Sequence, residues 1–277
     1  MNSISQSFST AFSLIVSFDG ALWAIVVRSL WVSGVATVLA SLLGVLLGAW
    51  LAVGRFSGRG AVLAVLNTLL AVPSVVVGLL VYLMLSRSGP LGGLGWLFSV
   101  KAMILAQTLL ILPIVVALTR QVIEDADVLH GEQLQSLGAS TLMRAVLHVW
   151  DERFAVLMVL LAAFGRAIAE VGAVMVVGGN IEGFTRVMTT AIALETSKGD
   201  LPLALGLGLV LLAVVLLLNA LVAGVRLVVS QYDKGVDKDV DKVVDKGVDK
   251  GFRQEGALCQ LCLICGKYRC VLDRCKL

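Results

Sequence analysis

Leu201-Pro-Leu-Ala-Leu-Gly-Leu-Gly-Leu-Val-Leu-Leu-Ala-Val-Val-Leu-Leu-Leu-Asn219-Ala-Leu-Val-Ala-Gly-Val-Arg226-Leu-Val-Val229 is almost purely aliphatic, broken only by one amide and one late charge. As a helix it is long enough to cross a hydrocarbon core of about 30 Å. Inside that core a helix satisfies its own backbone polar groups, which an isolated strand or loop cannot do. The stretch therefore reads as a transmembrane helix.

Working outward, similar runs recur, at about Ser29–Val53, Ala61–Leu85, Val100–Thr119 and Phe154–Val177. The expected fold is all-α, a polytopic membrane protein of about five spans. Composition agrees. Charged residues make up 15% of the chain and the mean hydropathy is +0.96, whereas soluble domains carry about 25% charged residues. The net charge of +3 is too small to suggest nucleic acid as a partner. Membrane lipid is the expected surrounding.

The first span is rich in Ser33, Gly34, Ser41, Gly44 and Gly48, small residues that let helices approach closely. Pro73 and Pro113 are expected to kink the second and third spans. Asn67, Gln107 and Asn219 are expected to hydrogen-bond between helices. Met1 to Gly20 is Ser-rich and lacks the basic stretch of a cleavable signal peptide, and residues 1–28 read as an extracytoplasmic or interfacial segment. The spanning domain is expected over 29–229.

Lys and Arg in the short loops set the orientation. Arg55, Arg59, Arg120, Arg144, Arg153 and the Lys-rich tail fall on one side; Arg28, Arg87, Lys101, Arg186 and Lys198 fall on the other. The first set belongs in the cytoplasm, which leaves the N-terminus outside and the C-terminus inside a multi-pass plasma-membrane protein. Arg28 must then snorkel to the outer interface.

Between the third and fourth spans, residues 120–153, hydrophobicity collapses: Arg120-Gln-Val-Ile-Glu-Asp-Ala-Asp-Val-Leu-His-Gly-Glu132-Gln-Leu-Gln-Ser-Leu-Gly138-Ala-Ser140-Thr-Leu-Met-Arg144. The pattern predicts two short amphipathic helices. Gly138 ends the first and Ser140 caps the second, which carries Leu142, Met143, Val146 and Leu147. Acidic and apolar side chains together suit a protein partner.

Glu132-Gln-Leu-Gln-Ser-Leu-Gly138 resembles the Glu-Ala-Ala signature of ABC importer permeases, with Gly at the same spacing. Gln133 and Leu134 stand where that signature has alanines, and His148-Val-Trp150-Asp replaces its Ile-x-Leu-Pro ending. The resemblance implies that Glu132, Leu137, Gly138, Ala139 and Ser140 dock a separate cytoplasmic ATPase.

Ala163-Phe-Gly-Arg166-Ala-Ile-Ala-Glu170-Val-Gly-Ala-Val-Met-Val-Val-Gly-Gly-Asn180-Ile-Glu-Gly-Phe-Thr185-Arg186-Val-Met-Thr189-Thr190 and the residues on to Asp200 are similar to the tungstate importer permeases of the TupB type. These are relatives of molybdate and sulfate permeases. That resemblance covers about residues 22–228. It implies a type I ABC importer permease fold and import of an oxyanion, foremost tungstate, by alternating access. It also implies two copies of the chain, two ATPase copies and an extracytoplasmic oxyanion-binding protein. ATP hydrolysis would lie in the partner, so the chain itself is expected to be no enzyme and to need no cofactor. Its sequence carries no Gly-x-x-x-x-Gly-Lys-Ser/Thr phosphate loop. Molybdate or sulfate import is the alternative. An ATPase-independent secondary carrier would be expected to show an internal repeat.

Arg166 and Glu170 are opposite charges inside the fourth span, expected on one helical face and pointing into the bundle. They are either a packing ion pair or part of the anion path. Asn180, Thr185, Arg186, Thr189 and Thr190 follow a Gly-Gly break and are candidates for the outer translocation path, because neutral donors with one cation give the weak contacts that permeation needs. The competing reading is capping by Thr185. His130 and His148 read as isolated loop residues, without metal.

From Tyr232 the tail, 230–277, repeats Val-Asp-Lys every four residues and then crowds Cys259, Cys262, Cys265, Cys270 and Cys275 together. A disordered or weakly helical cytoplasmic extension is expected. The single dense Cys cluster lacks the distant second pair of a zinc site, and no metal is assigned to it.

Overall fold

In the computed structural model, residues 20–249 are described, together with Ser13 and Ser17; side chains are described as far as Val225, and at Leu227. The chain divides into two units, Met1–Leu221 and Val222–Leu277. Nine α-helices run through the described residues: α1 (Gly20–Val53), α2 (Arg59–Ala71), α3 (Ser74–Leu85), α4 (Val100–Ser136), α5 (Thr141–Asp151), α6 (Arg153–Ile168), α7 (Gly172–Gly178), α8 (Met188–Lys198) and α9 (Leu201–Asp249).

Three helices are long and apolar enough to span a membrane alone: α1, α4 and α9, the last over Leu201–Val225. Two further spans are bent pairs, α2 with α3 at 99° and α6 with α7 at 57°. Five crossings result if each pair is one span.

The α1–α4 pairing forms the centre of the bundle. Their close approach follows from Gly44 and Gly48: a Cβ on Gly44 would lie 2.8 Å from Val115 Cγ1, and one on Gly48 2.7 Å from the Val116 carbonyl. Ala36, Ala40, Ile111, Val115, Ala163 and Ala167 fill the same layer. Gly78 does likewise between α3 and α7, where a Cβ would come within 2.7 Å of Ala173 Cα. Small residues thus let backbones meet where hydrocarbon offers helices no hydrophobic reason to associate.

Several expectations change. The second span is broken at Pro73, not merely kinked. Val72 is extended (φ −65°, ψ 128°) and α3 restarts after the proline, as expected where proline removes a donor and disfavours helix before it. The fourth span is interrupted at residues 169–171. α1 begins at Gly20, within the segment assigned to the interface, and so contains Arg28. The guanidinium of Arg28 donates to the carbonyls of Gly183 (2.7 Å) and Arg186 (3.2 Å). Asn219 donates to Val215 O of its own helix, whereas Gln107 does bond across helices, to Ala167 O.

The largest difference is α4. Its 37 residues continue unbroken through the collapse in hydrophobicity to Ser136, with Pro113 accommodated inside. The first helix of the 120–153 loop is therefore the end of a spanning helix.

Ion pairs fix which loops share an end. Arg59 at the start of α2 reaches Glu124 of α4 at 3.1 Å and the Leu51 carbonyl at 3.1 Å, and Arg120 also pairs with Glu124. Arg28, near the other end of α1, holds the Gly183–Arg186 loop. Arg59 and Arg120 therefore lie toward one end of α1, and Arg28 and Arg186 toward the other.

The tail is helical as far as Asp249 within α9, where disorder or weak helix was expected. All five cysteines lie outside the described residues.

Candidate functional site

Two regions carry the polar chemistry: the knob formed by the end of α4 with α5, and the break between α6 and α7.

At the knob, α4 closes on a Schellman turn. Gly138 has φ +78°, its N–H donates to Gln135 O (2.9 Å), and the Ala139 N–H donates to Leu134 O (3.0 Å). The left-handed residue costs glycine little. Ser140 then caps α5, its Oγ accepting from the Met143 N–H at 3.4 Å. Glu132, Leu137 and Ser140 are exposed and Ala139 is half-buried; Leu137 to Ser140 form the turn between the helices, and Glu132 lies on the last turns of α4 before it.

α5 is amphipathic in an inverted sense. Its polar residues Arg144 and His148 are buried, while Leu142, Met143, Val146 and Trp150 stand open. Asp127 of α4 explains this. Arg144 Nη2 donates to its two oxygens at 2.6 and 2.8 Å, and His148 Nε2 lies 3.1 Å from Oδ1. His148 is thus no isolated loop residue but the innermost part of a clasp. With the polar face turned in, the apolar one faces out, beside Val128, Leu129 and Leu137. An open apolar patch of this kind fits a protein or a membrane surface.

At the break, Glu170 is buried, with its side chain 3% exposed. Its Oε2 accepts from Arg166 Nη1 at 2.8 Å and its Oε1 from the Ala173 N–H at 3.2 Å, in the first turn of α7. Its backbone carbonyl accepts from the Thr189 hydroxyl at 2.7 Å. Arg166 is different: its side chain is 46% exposed. The pair does not point into the bundle as a unit; the carboxylate does and the guanidinium does not. Behind Glu170 a small enclosed cavity is lined by Ser29, Ser33, Gln107 and Thr189, and Gln107 Oε1 is buried without a hydrogen-bond partner among the described residues.

The loop after α7 brings the outer-path candidates together but occupies their donors. Gly179 and Asn180 turn the chain with positive φ (+70° and +49°). Thr185 Oγ1 donates to Gly178 O (2.6 Å) and accepts from the Ile181 N–H (2.9 Å). It staples the loop and does not cap α8. Thr190 Oγ1 donates to Val187 O at 3.1 Å and accepts from the Val187 N–H, which makes it part of the α8 cap. Asn180 Nδ2 donates to Thr190 O at 3.2 Å. Arg186, 11% exposed, sits 3.6 Å from both Glu182 and Glu195. The three threonine hydroxyls are buried and committed to carbonyls: Thr185 ties the loop to the end of α7, Thr189 ties α8 to the break, and Thr190 stays within the α8 cap. Among the described residues no His, Cys, Asp and Glu group could hold a metal ion.

No family model matches the chain. Individual proteins do. The chain is 40% identical over 226 residues to the tungstate uptake system permease protein TupB of Peptoclostridium acidaminophilum, covering 80% of this chain and 97% of that protein. The chain belongs to the TupB-like family of ABC transporter permeases. It is 42% identical to the "Probable anion ABC transporter permease protein" of Haloferax volcanii, over 74% of this chain and 90% of that one. It is 38% identical to TupB of Campylobacter jejuni, over 78% and 90% respectively. Molybdenum and sulfate transport permeases stand further off, at about 29–32% identity. The permease is thus a multi-pass membrane subunit of a transport system, and the knob and the break are the places to look for its mechanism.

Proposed function

We propose that the chain is the membrane subunit of an ATP-driven tungstate importer that works by alternating access. Two copies would form the pathway, two copies of a cytoplasmic ATPase would dock on their knobs, and an extracytoplasmic binding protein would deliver the anion. ATP hydrolysis then belongs to the partner. The N-terminus would lie outside and the C-terminus in the cytoplasm, with the knob, Arg55 and Arg59 inside.

The observation that carries this reading is the outward apolar face of α5, clasped to a helix continuous with the third span. A surface of that kind converts partner motion into span motion without an intervening hinge. In this reading Glu132, Leu137, Gly138, Ala139 and Ser140 bring α5 onto the ATPase. Asn180, Thr185, Arg186, Thr189 and Thr190 shape the outer end of the path as a stapled loop. Tungstate ranks above molybdate and sulfate because the relatives named for tungstate are nearer in sequence.

The test is reconstitution of the permease with its ATPase and binding protein in proteoliposomes. Tungstate uptake should require ATP and all three components, and excess molybdate or sulfate should compete less well than unlabelled tungstate. Uptake by the permease alone, driven by an ion gradient, would replace this reading with a secondary carrier.

A further inference from the structure

The guanidinium of Arg166 pairs with buried Glu170, yet the pairing leaves much of it open. Arg153 marks the border at the knob end of α6: it is exposed, its Nη1 donates to Trp150 O at 3.1 Å, and its guanidinium lies over the Trp150 and Phe154 rings. Arg166 stands thirteen residues further along, about 20 Å at the helical rise, well inside a core of about 30 Å. A charge there is too costly to face lipid, so it must face water or protein. Its side chain is nonetheless 46% exposed, while its partner Glu170 is 3% exposed. The flanking residues on the open side, Ala162 and Ala169, are small and exposed, which leaves the guanidinium approachable.

We propose that Arg166 lines the aqueous pathway and makes the transient mid-membrane contact with a tetrahedral divalent oxyanion, with Glu170 as its positioning residue. This rests on the dimeric oxyanion-importer reading. Glu170 Oε2 holds Nη1 at 2.8 Å and is itself fixed by the Ala173 N–H. The guanidinium therefore presents its remaining N–H donors outward from a fixed root. The pair is neutral overall and forms a dipole with its positive end toward the path. Such a dipole attracts a dianion without the full attraction of a free cation, as a site that must release its ion requires. A twofold-related copy would add a second guanidinium to the same pathway. The two repel each other, and an intervening dianion relieves that repulsion.

The experiment compares R166Q/E170Q, E170Q and R166K in the reconstituted three-component system. The double variant removes both charges together, leaving no buried carboxylate unpaired. It should still co-purify with the ATPase and should transport tungstate at least tenfold more slowly. E170Q leaves a full cation on the path, so KM and kcat for tungstate should both fall. R166K should retain part of the uptake. Equal uptake by the double variant and the parent would overturn the proposal, as would loss of kcat in E170Q without a change in KM.

A labelling measurement stands independently of these variants' folding. With the five tail cysteines replaced by serine, A162C and A169C should react with a charged, water-soluble methanethiosulfonate, and tungstate should slow the reaction. L216C, on the open face of α9, serves as the lipid-facing control. Reaction at 162 and 169 as slow as at 216 would also overturn the proposal. If the parent system fails to take up tungstate at all, the importer reading falls, whereas labelling at 162 and 169 still reports whether Arg166 faces water.

Discussion

Asp127 and Arg144, on two helices joined by a tight turn, are bound by two contacts from a single guanidinium nitrogen, at 2.6 and 2.8 Å. Both side chains are largely buried, at 16% and 7% exposure. This pair decides which way α5 faces. Replacing Asp127 with Ala would strand Arg144 and unlatch His148, and breaking a buried ion pair from one side costs about 3–5 kcal/mol. Part of that cost falls on α5 alone, because solvent is close. We expect D127A to insert in the membrane but to lose the ATPase on co-purification, while D127E keeps part of the binding. Retention of the complex by D127A would remove the clasp from the docking account.

Gly138 separates conformational from steric explanations. A Cβ there meets nothing within 4 Å, yet φ is +78°. A left-handed non-glycine residue costs roughly 1–2 kcal/mol, and Asn tolerates it better than most. ATPase binding should therefore fall in the order Gly, Asn, Ala, Val at this position. An order that followed side-chain volume alone would point to a direct clash with the partner instead.

The apolar face of α5 can be tested without touching the fold. Met143 and Trp150 are 56% and 70% exposed, so M143E and W150D should leave detergent stability nearly unchanged, within about 0.5 kcal/mol. Both should abolish co-purification with the ATPase. Thermal unfolding and pull-down, measured on the same preparations, check the two halves of this expectation.

The α1–α4 contact predicts a contrast between glycines of one helix. Gly48 has the Val116 carbonyl 2.7 Å from a built Cβ, whereas Gly34 has nothing within 4 Å. G48A should destabilise by about 1–3 kcal/mol through overpacking. G34A should be neutral or slightly stabilising, as alanine favours helix. Melting temperatures in detergent distinguish them.

Much of this was legible before any coordinates. The runs of aliphatic residues located the spans, and Gly138 and Ser140 marked the turn between α4 and α5 correctly, because glycine at a helix end and serine at a helix start act locally. The continuity of α4 was not legible. The loss of hydrophobicity after Thr119 marks where the chain leaves lipid, and a helix need not end there. The break at Glu170 has no proline to announce it; the nearest signal was Gly172, two residues on. The inverted face of α5 depends on Asp127, which lies 17 and 21 residues from Arg144 and His148. Single-helix periodicity shows an apolar stripe but not which side is inward. The opposite exposures of Arg166 and Glu170 depend on the interruption between α6 and α7, so a straight helix misplaces them.

The unbroken course of α4 has a mechanical consequence. The helix is pinned to α1 where Gly44 and Gly48 meet Val115, Val116 and Thr119. About 24 Å of rod extends from there toward Val100 and about 30 Å toward Ser136. α4 also packs with α1 on both sides of that contact, from the cluster that holds Val32 and Met103 to the one that holds Ala49 and Ile123. The two helices are thus braced along much of their shared length, and a push on the Ser136 end would load α1 as well as α4.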